Sequence, residues 1–391
     1  MKIRINSVDI FRALTMLLMI FVNDLWTLHD IPPWLEHKHA NEDGMGLADV
    51  VFPAFLFIVG LSIPLAIKAR VSKGDSKTKI LMHIVRRSLA LLVMGFFMVN
   101  HESYRQDVSE FVKGAWEISM AVAIFLIWNV YEKDKVFKII PVWVLQWAGI
   151  AILVVLALVY KGGTPENPAW MRPEWWGILG IIGWSYLLCS LIYLWSGEKV
   201  WIIVLSLLIL HALNAQEFFP VFGSAHGFRI MVGASHHALV MSGVLATLIF
   251  LKLKDKDKAG LFVGILVLLA LLYMAYGFVT RPLWGISKIR ATPSWTTICA
   301  GIGFVFFALL YVLADVKKIT GWSSIIMPAG RSTLTCYLLP YIIYPLFYPL
   351  IKHLPDTLTG GLAGIFKSLI FALVVIMLTG LLEKIKIKLR I

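Results

Sequence analysis

Glu36–Pro64, EHKHANEDGMGLADVVFPAFLFIVGLSIP, changes character midway. It opens as a polar stretch carrying His37, Lys38 and His39 and passes Gly44 and Gly46. After Asp49 it becomes an apolar run of the length needed to cross a bilayer. Titratable groups at a bilayer boundary are costly and are kept where they serve chemistry. The stretch therefore predicts both a membrane fold and the place where its chemistry sits.

The rest of the chain agrees. Of 391 residues, 59% are hydrophobic and only 15% charged, whereas soluble domains run near 45–50% apolar and about 25% charged. The formal net charge is +13, but the Lys and Arg residues lie in short loops between apolar runs. That pattern indicates membrane topology and contact with anionic membrane lipid, and it excludes nucleic-acid binding. Cys189, Cys299 and Cys336 fall inside apolar runs without metal or redox spacing and read as small buried hydrophobes. Lys2 and Arg4 before an apolar run imitate a secretion signal, but Asp9 and Arg12 interrupt it and no small-residue cleavage site follows. It reads as an uncleaved first helix.

About twelve runs approach the roughly 20 residues that span a bilayer. They are Ser7–Leu28, Leu47–Ala69, Ile80–Val99, Ala115–Tyr131, Phe137–Tyr160, Trp175–Trp195, Val200–Asn214, Phe228–Leu251, Ala259–Thr280, Ser294–Ala314, Pro328–Leu350 and Gly361–Leu382. The expected fold is all-α, a single polytopic domain over residues 1–391. Alternate loops are rich in Lys, from Lys68, Arg70, Lys73, Lys77 and Lys79 to YEKDKVFK, Lys252–Lys258, Lys317–Lys318 and the KIKIKLR tail. That bias places both termini in the cytoplasm and the His37–His39 loop outside. The outer loops Asn100–Gly114, Lys161–Glu174, Ala215–Gly227 and Arg281–Pro293 accompany it, with Trp170, Trp284 and Trp295 at their ends. Tryptophan beside polar groups suits a sugar acceptor, Trp284 in particular, and equally suits an interfacial belt.

His39 leads the catalytic candidates, because an imidazole exchanges protons near neutral pH or acts as a nucleophile. Asp49, at the start of the second run, can fold back on a ring nitrogen or cap its helix. Asn23 and Asp24 end the first run on the same side, where Asn23 can orient an acceptor or a developing oxyanion. Asp9 and Arg12, one turn apart, can pair. Arg86 and Arg87, well inside the third run, suit phosphate, although arginines at such depth also snorkel to lipid headgroups. His236 and His237 lie near the outer end of the eighth run, and with His37 they are candidates for contact with an acceptor. His37–His39 lacks the companions of a zinc site, so no metal is expected.

SVDIFRALTMLLMIFVN, followed by KHANEDGMGLADVVFPAFLFIVGLSI, resembles the heparan-α-glucosaminide N-acetyltransferase family in its bacterial branch. The likeness extends to Arg86–Ser88, to ADVKK at Ala314–Lys318 and to GRSTLTCYLL from Gly330. It covers roughly the first hundred residues and a shorter stretch near the C-terminus. The resemblance implies a multi-pass acetyltransferase of the bacterial inner membrane that draws on acetyl-CoA. It puts the catalytic histidine at His39 and a neighbouring site asparagine at Asn23, and it suggests a homodimer. Ser332 stands for the family's Asn and Ala13 for its Gly. Trp175–Trp195 and Val200–Asn214 read as an added helix pair, and the lumenal domain of animal members has no counterpart, so the expected acceptor is a sugar or glycan other than heparan sulfate. Arg12, Arg86, Arg87 and Asp9 would frame the CoA phosphates, with the thioester brought through the protein to the outer side. The competing reading is a sugar permease.

Overall fold

Inside a bilayer every backbone N–H must find its partner within the segment, so apolar runs bounded by Gly, Pro and charged residues fold as helices. The computed structural model describes residues 5–105, 107–108, 110–131, 140–216, 233–254 and 258–391. The helices are α1 (Asn6–Asp24), α2 (Leu47–Val71), α3 (Lys77–Glu102), α4 (Glu110–Trp128), α5 (Val142–Leu158), α6 (Gly177–Ser196), α7 (Val200–Gln216) and α8 (Ala234–Leu253). After them come α9 (Ala259–Trp284), α10 (Pro293–Leu310), α11 (Met327–Arg331), α12 (Thr333–Leu338), α13 (Pro340–Lys352), α14 (Asp356–Thr359) and α15 (Gly361–Lys384). A two-residue hairpin, Gly162–Gly163 against Pro168–Ala169, is the sheet among the described residues. The fold is thus nearly all-α, and eight of its described helices are long and apolar enough to cross a membrane. Val142–Leu158, Val200–Gln216 and Thr333–Tyr348 are apolar but shorter. Most of YEKDKVFK and of the Ala215–Gly227 loop, residues 255–257, and the starts of the Phe137 and Phe228 runs lie outside the described residues.

One expected run is corrected. Pro328–Leu350 is broken into α11, α12 and α13. Ser332 leaves helical geometry at φ −125°, ψ 49°, and Pro340, which has no N–H to donate, restarts the chain as the first residue of α13. Beyond Leu310 the chain of α10 runs on through a π-helical turn, Tyr311–Val316. The Asp315 carboxylate there accepts from the N–H groups of Asn6 (2.9 Å) and Ser7 (3.0 Å), satisfying the first turn of α1. The C-terminal tail returns to the end of α4, where Val130 N–H donates to the Lys388 carbonyl (2.9 Å) and Lys388 N–H to the Asn129 side chain (2.8 Å).

The centre is α8, whose span is 89% buried, while that of α9 is only 22% buried and offers Leu268, Leu271, Leu272 and Val279 to lipid. Helices in lipid gain by close backbone approach. A Cβ at Gly60 of α2 would stand 1.8 Å from the Val240 carbonyl oxygen, and one at Gly243 of α8 would stand 2.0 Å from that of Phe57. Both contacts are to backbone and cannot be relieved by a rotamer. Gly60→Val is expected to cost at least about 1–3 kcal/mol. A thermal-shift measurement on detergent-purified protein checks this; an unchanged midpoint contradicts the packing.

Candidate functional site at the start of the second helix

The first N–H groups of α2 have no partners within the helix, and the preceding loop supplies them. Leu47 N–H donates to the Trp34 carbonyl (2.7 Å) and Ala48 N–H to that of Leu35 (3.2 Å). Gly46 is required where the two strands of this loop cross, since a Cβ would fall 2.0 Å from the Glu36 carbonyl oxygen. The docking carries residues 37 and 38 over the first turn of the helix. There Asp49 Oδ2 accepts from the N–H of Gly46 (3.0 Å) and of Lys38 (3.1 Å), while Oδ1 lies 2.7 Å from His37 Nδ1.

A carboxylate only accepts, so Nδ1 carries a proton directed at Asp49. Lys288 Nζ, from the loop between α9 and α10, lies 3.5 Å from that Nε2 and 3.2 Å from Nδ1. Burial pushes the Lys288 ammonium below the ordinary lysine range, and the nearby Asp49 carboxylate opposes the shift. Trp295, fully buried at the start of α10, donates its indole N–H to the Asp49 carbonyl (3.1 Å). It is therefore core, and does not stand with Trp170 among the exposed aromatic groups.

The sequence reading gave Asp49 a histidine partner, and the structure supplies one, but it is His37. His39 is exposed, and its carbonyl accepts from Glu42 N–H (3.0 Å). His236 comes to the same neighbourhood, with its ring 6.4 Å from that of Trp295 and 6.0 Å from Phe52, and its buried Nδ1 has no hydrogen-bond partner among the described residues. His237 is turned into the core, where its carbonyl accepts from Cys189 Sγ. The indole N–H of Trp284 is taken by Ser294 Oγ (2.7 Å).

The loop is clamped from the other side. Asp43 accepts from Ile286 N–H (2.7 Å) and from Arg281 Nε (2.9 Å), and Ser287 Oγ donates to the Ala40 carbonyl (3.1 Å). The Ile286 N–H, helped by Arg281, holds the Asp43 carboxyl below its usual range. A depressed carboxyl pKa contributes stability that is present above the unfolded-state value and is lost as pH falls through the folded-state value. Hydrogen exchange across residues 37–46 should therefore accelerate on acidification below the normal carboxylate range, and in Asp43→Asn it should already be fast at neutral pH. Equal exchange in both proteins at neutral pH contradicts the clamp.

Asn23 and Asp24 part company. Asn23 is exposed at the wall of a separate cavity, which neither His37, His39 nor Asp49 lines. Asp24, expected to face an acceptor, is 2% exposed and fully engaged. Tyr344 OH donates to its Oδ1 (2.7 Å), while Ser368 Oγ (2.6 Å) and Lys367 Nζ (3.0 Å) meet its Oδ2. It ties α1 to α13 and α15 and is a structural ion pair.

The arginines form a second site deeper in the bundle. Arg12 pairs with Asp9 (Nη1 to Oδ1, 3.4 Å) and donates to Ser62 Oγ (2.9 Å), close enough to Arg87 for their like charges to interact. Arg87 lies 4.8 Å above the Tyr186 ring of α6. Arg86, on the adjacent face, is exposed. Arg87 Nε and Ser88 Oγ of α3, and Ser185 Oγ and Ser190 Oγ of α6, are buried without hydrogen-bond partners among the described residues. Two clustered guanidiniums beside unsatisfied polar atoms fit an anionic, amide-bearing cofactor such as a CoA ester.

Sequence reasoning missed Lys288 and Lys367. Lys288 lies in the outer loop Arg281–Pro293 and Lys367 inside the last apolar run, where a charge among apolar neighbours was the available signal.

Residues 4–218, more than half of the chain, match the family described as "Domain of unknown function (DUF5009)". The chain is also similar to heparan-alpha-glucosaminide N-acetyltransferase from Mus musculus, at 40% identity over 97 residues, and from Homo sapiens, at 39% over 97 residues. In both cases the match covers 25% of this chain and 14% of the relative's length.

Proposed function

The chain belongs to the family described as a domain of unknown function, DUF5009, and on that premise we propose a membrane-embedded acetyltransferase. It moves acetyl from cytoplasmic acetyl-CoA to an amino sugar or other glycan acceptor across the membrane, in a bacterial inner membrane, with about twelve crossings and both termini inside. The similarity to two glucosaminide N-acetyltransferases carries the class of reaction.

When bound, acetyl-CoA supplies an activated acetyl thioester. Arg87 and Arg12 hold its phosphates by charge-assisted hydrogen bonds, and Asp9 keeps Arg12 extended across the gap. On the other side His39, on a loop clamped at Asp43 and over the first turn of α2, takes the proton of the acceptor amine or acts as nucleophile. Either role requires neutral imidazole. The Asp49–His37–Lys288 arrangement favours a second assignment within the same function: His37 has the carboxylate-oriented ring of a general base, with Lys288 beside its Nε2.

Titration with acetyl-CoA tests the cofactor site. Arg87→Ala should weaken binding by about ten-fold or more, the worth of a charge-assisted contact. Arg86→Ala, on the exposed face, should leave it unchanged. Equal affinities for wild type and Arg87→Ala contradict the placement.

A further inference from the structure

Attack on an acetyl thioester puts negative charge on the carbonyl oxygen, and the step is fast where a donor already waits for that charge. The N–H groups at a helix N-terminus are ready-made donors, and the first turn of α2 lies beside His37. Those N–H groups are engaged. Leu47 donates to the Trp34 carbonyl, Ala48 to that of Leu35 and Asp49 to that of Gly46, while the N–H groups of Gly46 and Lys38 go to the Asp49 carboxylate. The side-chain donors nearby are engaged too. The Trp295 indole N–H goes to the Asp49 carbonyl, Ser287 Oγ to the Ala40 carbonyl and Lys38 Nζ to Glu42 (2.6 Å). Asn23, the residue expected to meet an oxyanion, lines the separate cavity. The unpartnered Nδ1 of His236 is buried.

Lys288 is left. It is half-buried, makes no ion pair among the described residues, and its Nζ lies against the His37 ring, 3.2 Å from Nδ1 and 3.5 Å from Nε2. Nδ1 of that ring is held by Asp49, so exchange of a proton with substrate falls to Nε2, on a side chain that is 49% exposed. A base nitrogen and an ammonium this close can serve one reacting centre, the nucleophile's proton going to the first and the carbonyl oxygen to the second. The ammonium is also held in advance. Of the two residues before it, Ile286 donates its N–H to Asp43, and Ser287 donates its N–H to Thr292 Oγ1 (3.0 Å) as well as its hydroxyl to Ala40. A half-buried cation without a carboxylate in contact gains most when an anion forms beside it.

We propose that Lys288 is a catalytic residue, holding the oxyanion that forms as the acceptor attacks the acetyl thioester and His37 takes the acceptor's proton. The new bond to carbon forms as the carbonyl pair moves onto oxygen beside Lys288. When that pair returns, the carbon–sulfur bond breaks and the proton on His37 passes to the departing thiolate. Lys288 keeps its own protons throughout. The role rests on the transferase reading and on His37 as its base.

The test is steady-state transfer from acetyl-CoA to glucosamine by purified wild type, Lys288→Met and Lys288→Arg, with hydrogen exchange measured across residues 37–46. Lys288→Met should lower kcat by about 10²–10³-fold, the worth of one oxyanion donor, with KM little changed and exchange as slow as in wild type. Lys288→Arg keeps the charge in another shape and should recover part of the loss. Wild-type kcat in Lys288→Met overturns the proposal. A loss accompanied by fast exchange also overturns it, because Lys288 would then support the loop rather than the reaction. Retained transfer in His37→Ala does the same, since the ammonium would face no base. Wild type that transfers no acetyl removes the transferase reading and this role with it, whereas equal transfer by wild type and Lys288→Met removes the role and keeps the reading.

Discussion

His39→Ala is expected to lower acetyl transfer by about 10²–10⁴-fold, the span attributed to a positioned proton-transfer group, with no loss of folded protein. The second half of that expectation comes from the environment of the residue. His39 is exposed and its ring makes no hydrogen bond among the described residues, so truncation leaves nothing buried unpaired. His37→Ala is the necessary comparison, because it removes the partner of Asp49 Oδ1 while Oδ2 keeps its two backbone donors. Retained transfer in His37→Ala with loss in His39→Ala assigns the chemistry to His39. The opposite pattern assigns it to the Asp49-oriented ring. Full activity in both variants removes the loop from the mechanism.

Lys367→Ala is expected to be the most destabilising exposed-side substitution, by about 3–5 kcal/mol, because it strands a buried carboxylate. Asp24 is 2% exposed, and its remaining partners, Tyr344 and Ser368, are neutral donors that cannot balance its charge. Lys367 also reaches Thr27 Oγ1, so the loss loosens the turn that leads into the outer loop. Asp24→Asn combined with Lys367→Ala removes the stranded charge and should recover much of the loss. Thermal denaturation of the single and double variants gives the answer: a single variant as stable as wild type would show the pair to be ornamental.

Much of the scaffold was legible in the sequence, for a physical reason. Lipid forces each crossing to satisfy its own backbone, so hydropathy alone locates the helices. The start of α2 could be placed from Gly46 and Asp49, whose carboxylate accepts from the Gly46 N–H. The break inside Pro328–Leu350 was also in the sequence, at Pro340, and was outweighed by the apolar composition on either side. Which histidine meets Asp49 was not legible. His37 and His39 are two residues apart, and the choice between them is made by backbone hydrogen bonds that dock residues 34–38 on the helix end. Lys288 reaches His37 across a sequence separation of 251 residues. Such juxtapositions depend on helix packing, which periodicity does not encode.

Arg86 and Arg87 show the same limit at closer range. Neighbours on a helix face different ways, and only the packing of α3 on α6 shows that Arg87 is the one held over Tyr186 beside unsatisfied serines.

In the proposed reaction acetyl passes from acetyl-CoA on one side of the membrane to an amine on the other. The most direct measurement uses sealed vesicles containing the purified protein, with labelled acetyl-CoA confined to the face carrying the Lys-rich loops and glucosamine confined to the opposite face. Labelled N-acetylglucosamine is expected on the glucosamine side, formed by wild type and not by His39→Ala. Glucosamine crossing unmodified, with no labelled product on either side, would contradict it and identify a permease.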